Sequence, residues 1–138
     1  MQITRQADYA LRAMLYLARL DTNQRAATSQ IAEKKEIPPS FLAKIISQLS
    51  IAGLINTSRG ARGGVSLARK PEEISLLDVV EAIDGPIMLN VCTHDPEICS
   101  FGDTCPIHEV WCETEQELVR RLKAATFDKL LEREDLKN

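Results

Sequence analysis

The sequence predicts a mainly α-helical protein with one small β-hairpin. Apolar residues recur at helical spacing of three and four through most of the 138-residue chain. A glycine-rich stretch, RGARGG, separates two short alternating segments, as in a hairpin. All four cysteines lie in residues 92–112, part of which has no clear periodicity. The length suits one domain with a core of its own.

The first predicted helix lies in TRQADYALRAMLYLARL, with Thr4 as its N-cap. Its apolar positions cover much of the helix circumference, so we expect neighbours on more than one side. Those positions are Ala7, Ala10, Leu11, Met14, Leu15 and Ala18. Asp8 interrupts this apolar surface, where a buried carboxylate would need a partner.

Two shorter helices follow, with a tight turn between them. The first lies in TSQIAEKKE, with Thr28 as a candidate cap. The second lies in IPPSFLAKIISQLSIAGL, where the two prolines suit the entry and first turn and Gly53 suits the end. Its predicted apolar face consists of Phe41, Leu42, Ile45, Ile46 and Leu49.

A hairpin and a fourth helix come next. LINTS and VSLA alternate as short strands, and the tip between them carries Arg59 and Arg62. ISLLDVVEAIDG is helical again, with Ser75 and Asp78 as a capping box and Gly85 as its end.

The last third of the chain combines a loop and a helix. Residues 86–105 show no periodic element, which is uncommon over about 20 residues unless the segment is functional or disordered. From Pro106 one long helix is predicted to about Arg133. Few elements remain to cover its apolar stripe, so we expect a partner subunit to pack there. The stripe consists of Ile107, Val110, Trp111, Leu118, Leu122 and Ala125.

Charge is divided unevenly along the chain. Residues 1–71 carry 11 Lys/Arg and 4 Asp/Glu, a net charge of +7, whereas residues 72–138 carry 6 and 16, a net charge of −10. Such a division suggests that the first half meets a polyanion.

The order of elements is that of a winged helix-turn-helix, in which the second helix enters the major groove of DNA. Arginine on a glycine-rich wing suits the narrow minor groove, and the positive first half supplies contacts to phosphate. The candidate DNA-binding residues are Ser40, Lys44, Ser47, Gln48, Arg59 and Arg62. Each could instead be ordinary helix surface or turn. We therefore divide the chain into a DNA-binding unit (1–85), a sensor loop (86–105) and a dimerisation helix with its tail (106–138).

The cysteines follow the pattern C-x6-C-x5-C-x2-H from Cys92 through Cys99 and Cys105 to His108. Thiolates are preferred ligands of iron–sulfur clusters and of zinc. Zinc sites usually have closer cysteine pairs, so zinc is the second interpretation. A thiol switch and unreactive cysteines are the third and fourth. Cys112 lies on the helix, where a role as a small hydrophobic residue is favoured.

Several classes of protein are disfavoured. No segment is typical of a signal peptide, and no apolar run approaches the roughly 18 residues of a membrane span. We therefore expect a cytoplasmic protein with reduced thiols and no membrane partner. We expect no enzyme, because RGARGG lacks the Lys-Ser/Thr of a P-loop and no nucleophile–base pair is evident.

Four segments together resemble the IscR/NsrR/RirA group of bacterial winged-helix regulators. They are MQITRQADYALRAMLYLA, IPPSFLAKIISQLSIAGLINTSRGARGGVSLAR, ISLLDVVEAIDGP and CPIHEVW. The resemblance covers about residues 1–130. It implies a homodimer on palindromic double-stranded DNA, with the long C-terminal helix as the dimer seam. It also implies a [2Fe–2S] or [4Fe–4S] cluster that reports iron, redox state or nitric oxide. The wider family contains a cluster-free regulator, CymR.

The resemblance further assigns the cluster ligands. Three loop cysteines serve, which match Cys92, Cys99 and Cys105. The fourth ligand differs within the group: a histidine just beyond the third cysteine matches His108, and an aspartate from the other subunit's first helix matches Asp8. The sequence has both, and His108 is the first choice. The competing class is an iron–sulfur protein that does not bind DNA.

Overall fold

The computed structural model describes residues 2–138, except for the side chain of Asp103. Within these residues it contains six α-helices and one two-stranded antiparallel sheet, which confirms the predicted fold class. The helices are α1 (Arg5–Ala18), α2 (Thr28–Lys34), α3 (Pro39–Ile51), α4 (Leu76–Asp84), α5 (Pro106–Ala124) and α6 (Phe127–Lys137). The strands are β1 (Ile55–Ser58) and β2 (Gly64–Leu67).

Local sequence signals set most helix ends. The Thr4 hydroxyl accepts a hydrogen bond from the Ala7 amide at 3.1 Å and caps α1. Ser75 and Asp78 form the predicted capping box of α4. Gly53 and Gly85 follow α3 and α4 with φ of 75° and 83°, a left-handed conformation that glycine adopts without strain. α2 differs slightly, because its N-cap is the residue before Thr28.

The main core lies where α1 and α3 cross, and small residues on α1 allow a close approach. Phe127 of α6 and Val65 of the hairpin also belong to this core. The α1 and α3 residues buried there include Ala10, Ala13, Met14, Leu42, Ile45 and Leu49. Phe41 was expected in the core but is 44% exposed. Its ring instead meets Tyr9 edge-on, at 5.7 Å between centroids.

The hairpin is joined to the segment before α2. Val65 and Ala26 exchange two backbone hydrogen bonds, of 2.8 and 2.9 Å. Two glycines permit this packing. A Cβ at Gly63 would lie 2.4 Å from the Ser58 carbonyl oxygen, and one at Gly64 would lie 2.8 Å from the Ala26 carbonyl oxygen. The wing therefore has a fixed position against the helix-turn-helix.

The prediction of one helix from Pro106 to about Arg133 is wrong. The helix stops at Ala124, and the next residues pair with the segment before α4. The Leu76 amide donates to the Ala125 carbonyl oxygen at 2.9 Å, and the Phe127 amide donates to the Ile74 carbonyl oxygen at 3.0 Å. Phe127 is only 1% exposed. Burial of this ring and formation of these backbone hydrogen bonds stabilise the chain more than continuation of the helix would.

The α5 stripe also differs from the expectation. Leu118 and Leu122 are covered within the same chain and do not depend on a partner subunit for burial. Val119 packs with them. Their neighbours are the buried residues Leu77 and Val80 of α4 and Ile87. Ile107, Val110 and Trp111 remain exposed. The apolar surface left over is thus confined to the N-terminal part of α5.

α6 folds back onto α1. The Arg19 guanidinium lies 2.6 Å from a Glu134 carboxylate oxygen and 3.0 Å from one of Asp135. The hydrogen bond that Arg19 donates to Glu134, followed by the one it donates to Asp135, raises the pKa of Arg19 above its ordinary value. The C-terminal helix α6 therefore packs in the same body as α1.

Three single-turn 3₁₀ helices lie within residues 86–105, the cysteine-rich segment. They are Val91–Thr93, Pro96–Ile98 and Gly102–Thr104. Their turns are short, as the lack of periodicity in the sequence predicts. Among the described residues, no helix has the length and apolar character needed to cross a membrane.

Candidate functional site

Most of the predicted DNA-reading side chains of α3 face solvent. Ser40, Lys44 and Ser47 are exposed, and the buried residues of α3 lie on its other face. Gln48 is half-buried, and its Oε1 accepts a hydrogen bond from Gln6 Nε2 at 2.5 Å. Gln48 therefore ties the helix to α1, while the other three present polar groups to the outside.

The wing tip presents the two predicted arginines. Arg59 and Arg62 are exposed, and within the described part of the chain neither forms a salt bridge. An open groove of about 300 Å³ runs between the wing and the two helices, with Thr28, Ile46 and Thr57 among its walls. Ile46 of α3 and Gly60 and Gly63 of the wing tip therefore line the same groove.

Sequence reasoning missed Arg25, which supports the wing. Its Nη1 donates a hydrogen bond to the Ser58 hydroxyl at 2.6 Å, at the end of β1. No local motif signals this contact, because the two residues are 33 positions apart. The bond adds a side-chain tie to the backbone pairing of Ala26 and Val65.

The three predicted cysteine ligands and His108 line one cavity of about 250 Å³. Each cysteine comes from a different part of the segment: Cys92 lies in the first 3₁₀ turn, Cys99 follows the second, and Cys105 precedes α5. All three are half-buried. The remaining wall is mostly apolar and includes Trp111. Cys92 and Cys105, 13 positions apart in sequence, therefore converge on one site.

His108 carries a buried nitrogen without a partner. Its Nδ1 has no hydrogen-bond partner among the described residues, although it is out of contact with solvent. Its Nε2 lies 3.5 Å from the Cys112 sulfur. Cys112 is thus a neighbour of His108 and is not among the residues lining the cavity.

Asp8 lies elsewhere in the chain. It does not interrupt a buried surface, as the sequence suggested, because its side chain is 53% exposed and forms a 2.8 Å ion pair with Arg12. Arg12 also lies over the Tyr9 ring, 5.4 Å from its centroid. Asp8 is absent from the walls of the cysteine cavity in the described chain. It would reach such a cavity only from another subunit.

A second missed residue is Glu115, which joins α5 to the start of the cysteine segment. Its carboxylate contacts the Leu89 amide, the Thr93 hydroxyl and the His94 ring. The His94 Nε2 also lies 3.1 Å from the Ile87 carbonyl oxygen, and the side chain is 45% exposed. One sequence signal was available: His108, Cys112 and Glu115 share a helix face at spacings of four and three.

Comparison with known proteins gives a consistent result. A family described as iron-dependent transcriptional regulators, Rrf2, matches residues 3–133. The regulator NsrR of Halalkalibacterium halodurans is 34% identical over 136 residues, which cover 98% of this chain and 93% of that protein.

Solved structures agree with this match. CymR of B. subtilis, described as a global cysteine regulator, is 25% identical, with a TM-score of 0.79 over 94% of this chain and 95% of that one. IscR of T. potens, at 23% identity and a TM-score of 0.76 over 96% and 87% of the chains, shares the fold. The family resemblance seen in the sequence is confirmed. The chain belongs to the Rrf2 family of transcriptional regulators.

Proposed function

We propose that this transcriptional regulator binds palindromic DNA as a homodimer and senses iron, redox state or nitric oxide through an iron–sulfur cluster in the Cys92–Cys105 loop. The observation that carries the proposal is the convergence of Cys92, Cys99, Cys105 and His108 on one cavity. Iron and acid-labile sulfide in protein purified without oxygen test it. The family supports a role in transcription rather than in catalysis.

The donor set fits such a cluster. Three half-buried thiols and one imidazole surround a largely apolar cavity, and soft thiolates with a histidine are ligands that iron–sulfur clusters accept. The unpartnered Nδ1 of His108 is a buried acceptor or donor that needs a partner. A bound cluster would supply iron that reacts with oxidants and nitric oxide. The protein would hold its thiolates and limit access of water.

A single zinc ion is less well supported. Zinc sites usually contain cysteine pairs separated by two to four residues. Cys92 and Cys99 have six residues between them, so the spacing favours a cluster over a single zinc ion.

A regulator without a cluster is the second candidate. The similarity to CymR, described as a global cysteine regulator, supports it. In that case Cys92, Cys99 and Cys105 would act as a thiol switch. Protein purified without oxygen would then contain neither iron nor sulfide, and its DNA affinity would follow the thiol oxidation state.

The proposed DNA interface combines α3 with the wing. Ser40, Lys44 and Ser47 would meet base edges or phosphates in the major groove, and Arg59 and Arg62 would reach the minor groove. Exposure of these five side chains supports this assignment. Gln48 would act through its bond to Gln6 or exchange it for a base contact.

The proposed dimer seam is the N-terminal part of α5. This 19-residue helix has no buried residue within the described chain, and it exposes Ile107, Val110 and Trp111. Exposed apolar side chains grouped on one helix are typical of an interface. The cavity adjoins this surface, because Ile107 and Trp111 also line it. A change at the cysteines would therefore reach the seam, and through it the spacing of the two DNA-binding units.

Val110→Asp is expected to convert the dimer into a monomer, because a charge would enter an apolar seam. Val110 is 55% exposed in the single chain and does not line the cavity, so the fold should persist. The mass in solution by sedimentation analysis measures the effect. Gln116→Asp, which adds the same charge on an exposed position of α5, is the control. A dimer of unchanged stability in Val110→Asp would place the seam elsewhere.

A further inference from the structure

The Glu115 carboxylate is largely withdrawn from solvent, whereas most residues of α5 are exposed. Its side chain is 14% exposed, while its neighbours Thr114 and Gln116 face solvent. Withdrawal of a carboxylate from water is unfavourable unless hydrogen bonds replace the lost hydration. The position therefore indicates a specific partner rather than a solvated helix surface.

Its partners all lie in one segment of chain. Oε1 accepts hydrogen bonds from the Leu89 amide and the Thr93 hydroxyl, both at 2.9 Å. Oε2 lies 3.5 Å from Nε2 of His94, and the same nitrogen lies 3.1 Å from the Ile87 carbonyl oxygen. Because a carbonyl oxygen only accepts, Nε2 is the donor there. We name these five residues the Glu115 anchor.

The anchor fixes the turn that carries Cys92. That turn spans Val91–Thr93, and the Thr93 hydroxyl, which shares its single proton between two acceptors, also lies 2.7 Å from the Asn90 carbonyl oxygen. Cys92 lies next to Thr93 in sequence and lines the cavity. His108, which also lines the cavity, belongs to α5. Glu115 follows His108 by seven residues, about two helical turns. One helix therefore supplies His108 and also holds the turn of Cys92.

We propose that Glu115 is a positioning residue that holds Cys92 at the cavity that His108 also lines, and that it links the cysteine site to α5. The proposal rests on the proposed iron–sulfur function and adds a route for its signal. Glu115 does not touch the cluster. Groups that orient ligands in this way typically change metal affinity 10–100-fold when removed.

Amide hydrogen exchange in the cluster-free protein tests the anchor without any cofactor. In Glu115→Ala the Leu89 amide should exchange about tenfold faster, because it loses a hydrogen bond to a charged group. Thr93→Val should also accelerate exchange of the Leu89 amide. Thr93→Ser retains the hydroxyl, so the Leu89 amide should exchange at the wild-type rate. Glu113→Ala, an exposed glutamate on the same helix, should leave exchange unchanged.

The rate of iron loss to a chelator provides the second measurement. Protein loaded without oxygen should lose iron at least about tenfold faster in Glu115→Ala and Thr93→Val than in Glu113→Ala and Thr93→Ser. Absence of iron from the wild-type protein contradicts the proposed function alone. Leu89 exchange at the wild-type rate in both Glu115→Ala and Thr93→Val overturns the anchor alone.

Discussion

Replacement of both Arg59 and Arg62 by alanine is expected to weaken binding to specific DNA by on the order of 10²-fold or more. A contact to a base edge or in the minor groove contributes about 1–3 kcal/mol, and two exposed guanidinium groups at the wing tip are lost. Each lost phosphate contact should also reduce, by about one unit, the slope of the logarithm of the binding constant against the logarithm of the salt concentration. The stability of the fold should not change, because both side chains are exposed.

The measurement is DNA affinity at several salt concentrations, with a duplex selected by the wild-type protein from a random-sequence pool. Arg133→Ala removes an exposed positive charge from α6, far along the chain from the wing, and serves as the control. Equal affinities for wild type and the double variant would exclude the wing from the interface. An equal loss of DNA affinity in the double variant and in Arg133→Ala would instead indicate that only the overall positive charge of the protein matters.

His108→Ala is expected to remove or alter the cluster, whereas Asp8→Ala should leave it intact. His108 lines the cysteine cavity and has an unpartnered buried Nδ1, while Asp8 is exposed and paired with Arg12. An imidazole in place of a thiolate also lowers the negative charge on the cluster and raises its reduction potential. His108→Cys should therefore recover a cluster with a lower potential.

Absorption and visible circular dichroism of the anaerobic variants measure this difference. A normal spectrum in His108→Ala beside an altered one in Asp8→Ala would reverse the assignment. The cluster would then bridge two subunits, and its loss would loosen the DNA-binding units directly. Asp8→Asn, which keeps the size of the side chain, separates loss of a ligand from loss of the ion pair with Arg12.

Local signals in the sequence predicted the parts of the fold that depend on local chemistry. The Thr4 cap, the Ser75–Asp78 capping box and the end of α3 at Gly53 each involve residues within a few positions of one another. Side chains that share a helix face follow from periodicity alone. The grouping of the cysteines indicated a site, and the family resemblance implied Cys92, Cys99 and Cys105 as its ligands, which the structure brings to one cavity.

Long-range contacts account for what the sequence did not predict. The break after Ala124 depends on backbone bonds to residues 74–76, and nothing near position 125 is a helix-breaking glycine or proline. Leu118 and Leu122 fit a dimer stripe and an α4 contact equally well by spacing. Glu115 was overlooked because a glutamate on a helix is usually solvated.

Elemental analysis of protein purified without oxygen tests the central claim, that Cys92, Cys99 and Cys105 hold an iron–sulfur cluster. The wild-type protein is expected to contain iron and acid-labile sulfide in equal amounts, Cys99→Ser is expected to lose both, and Cys112→Ser is expected to retain both. One zinc ion per chain without sulfide, or the same iron and sulfide content in Cys99→Ser as in the wild type, would contradict the claim.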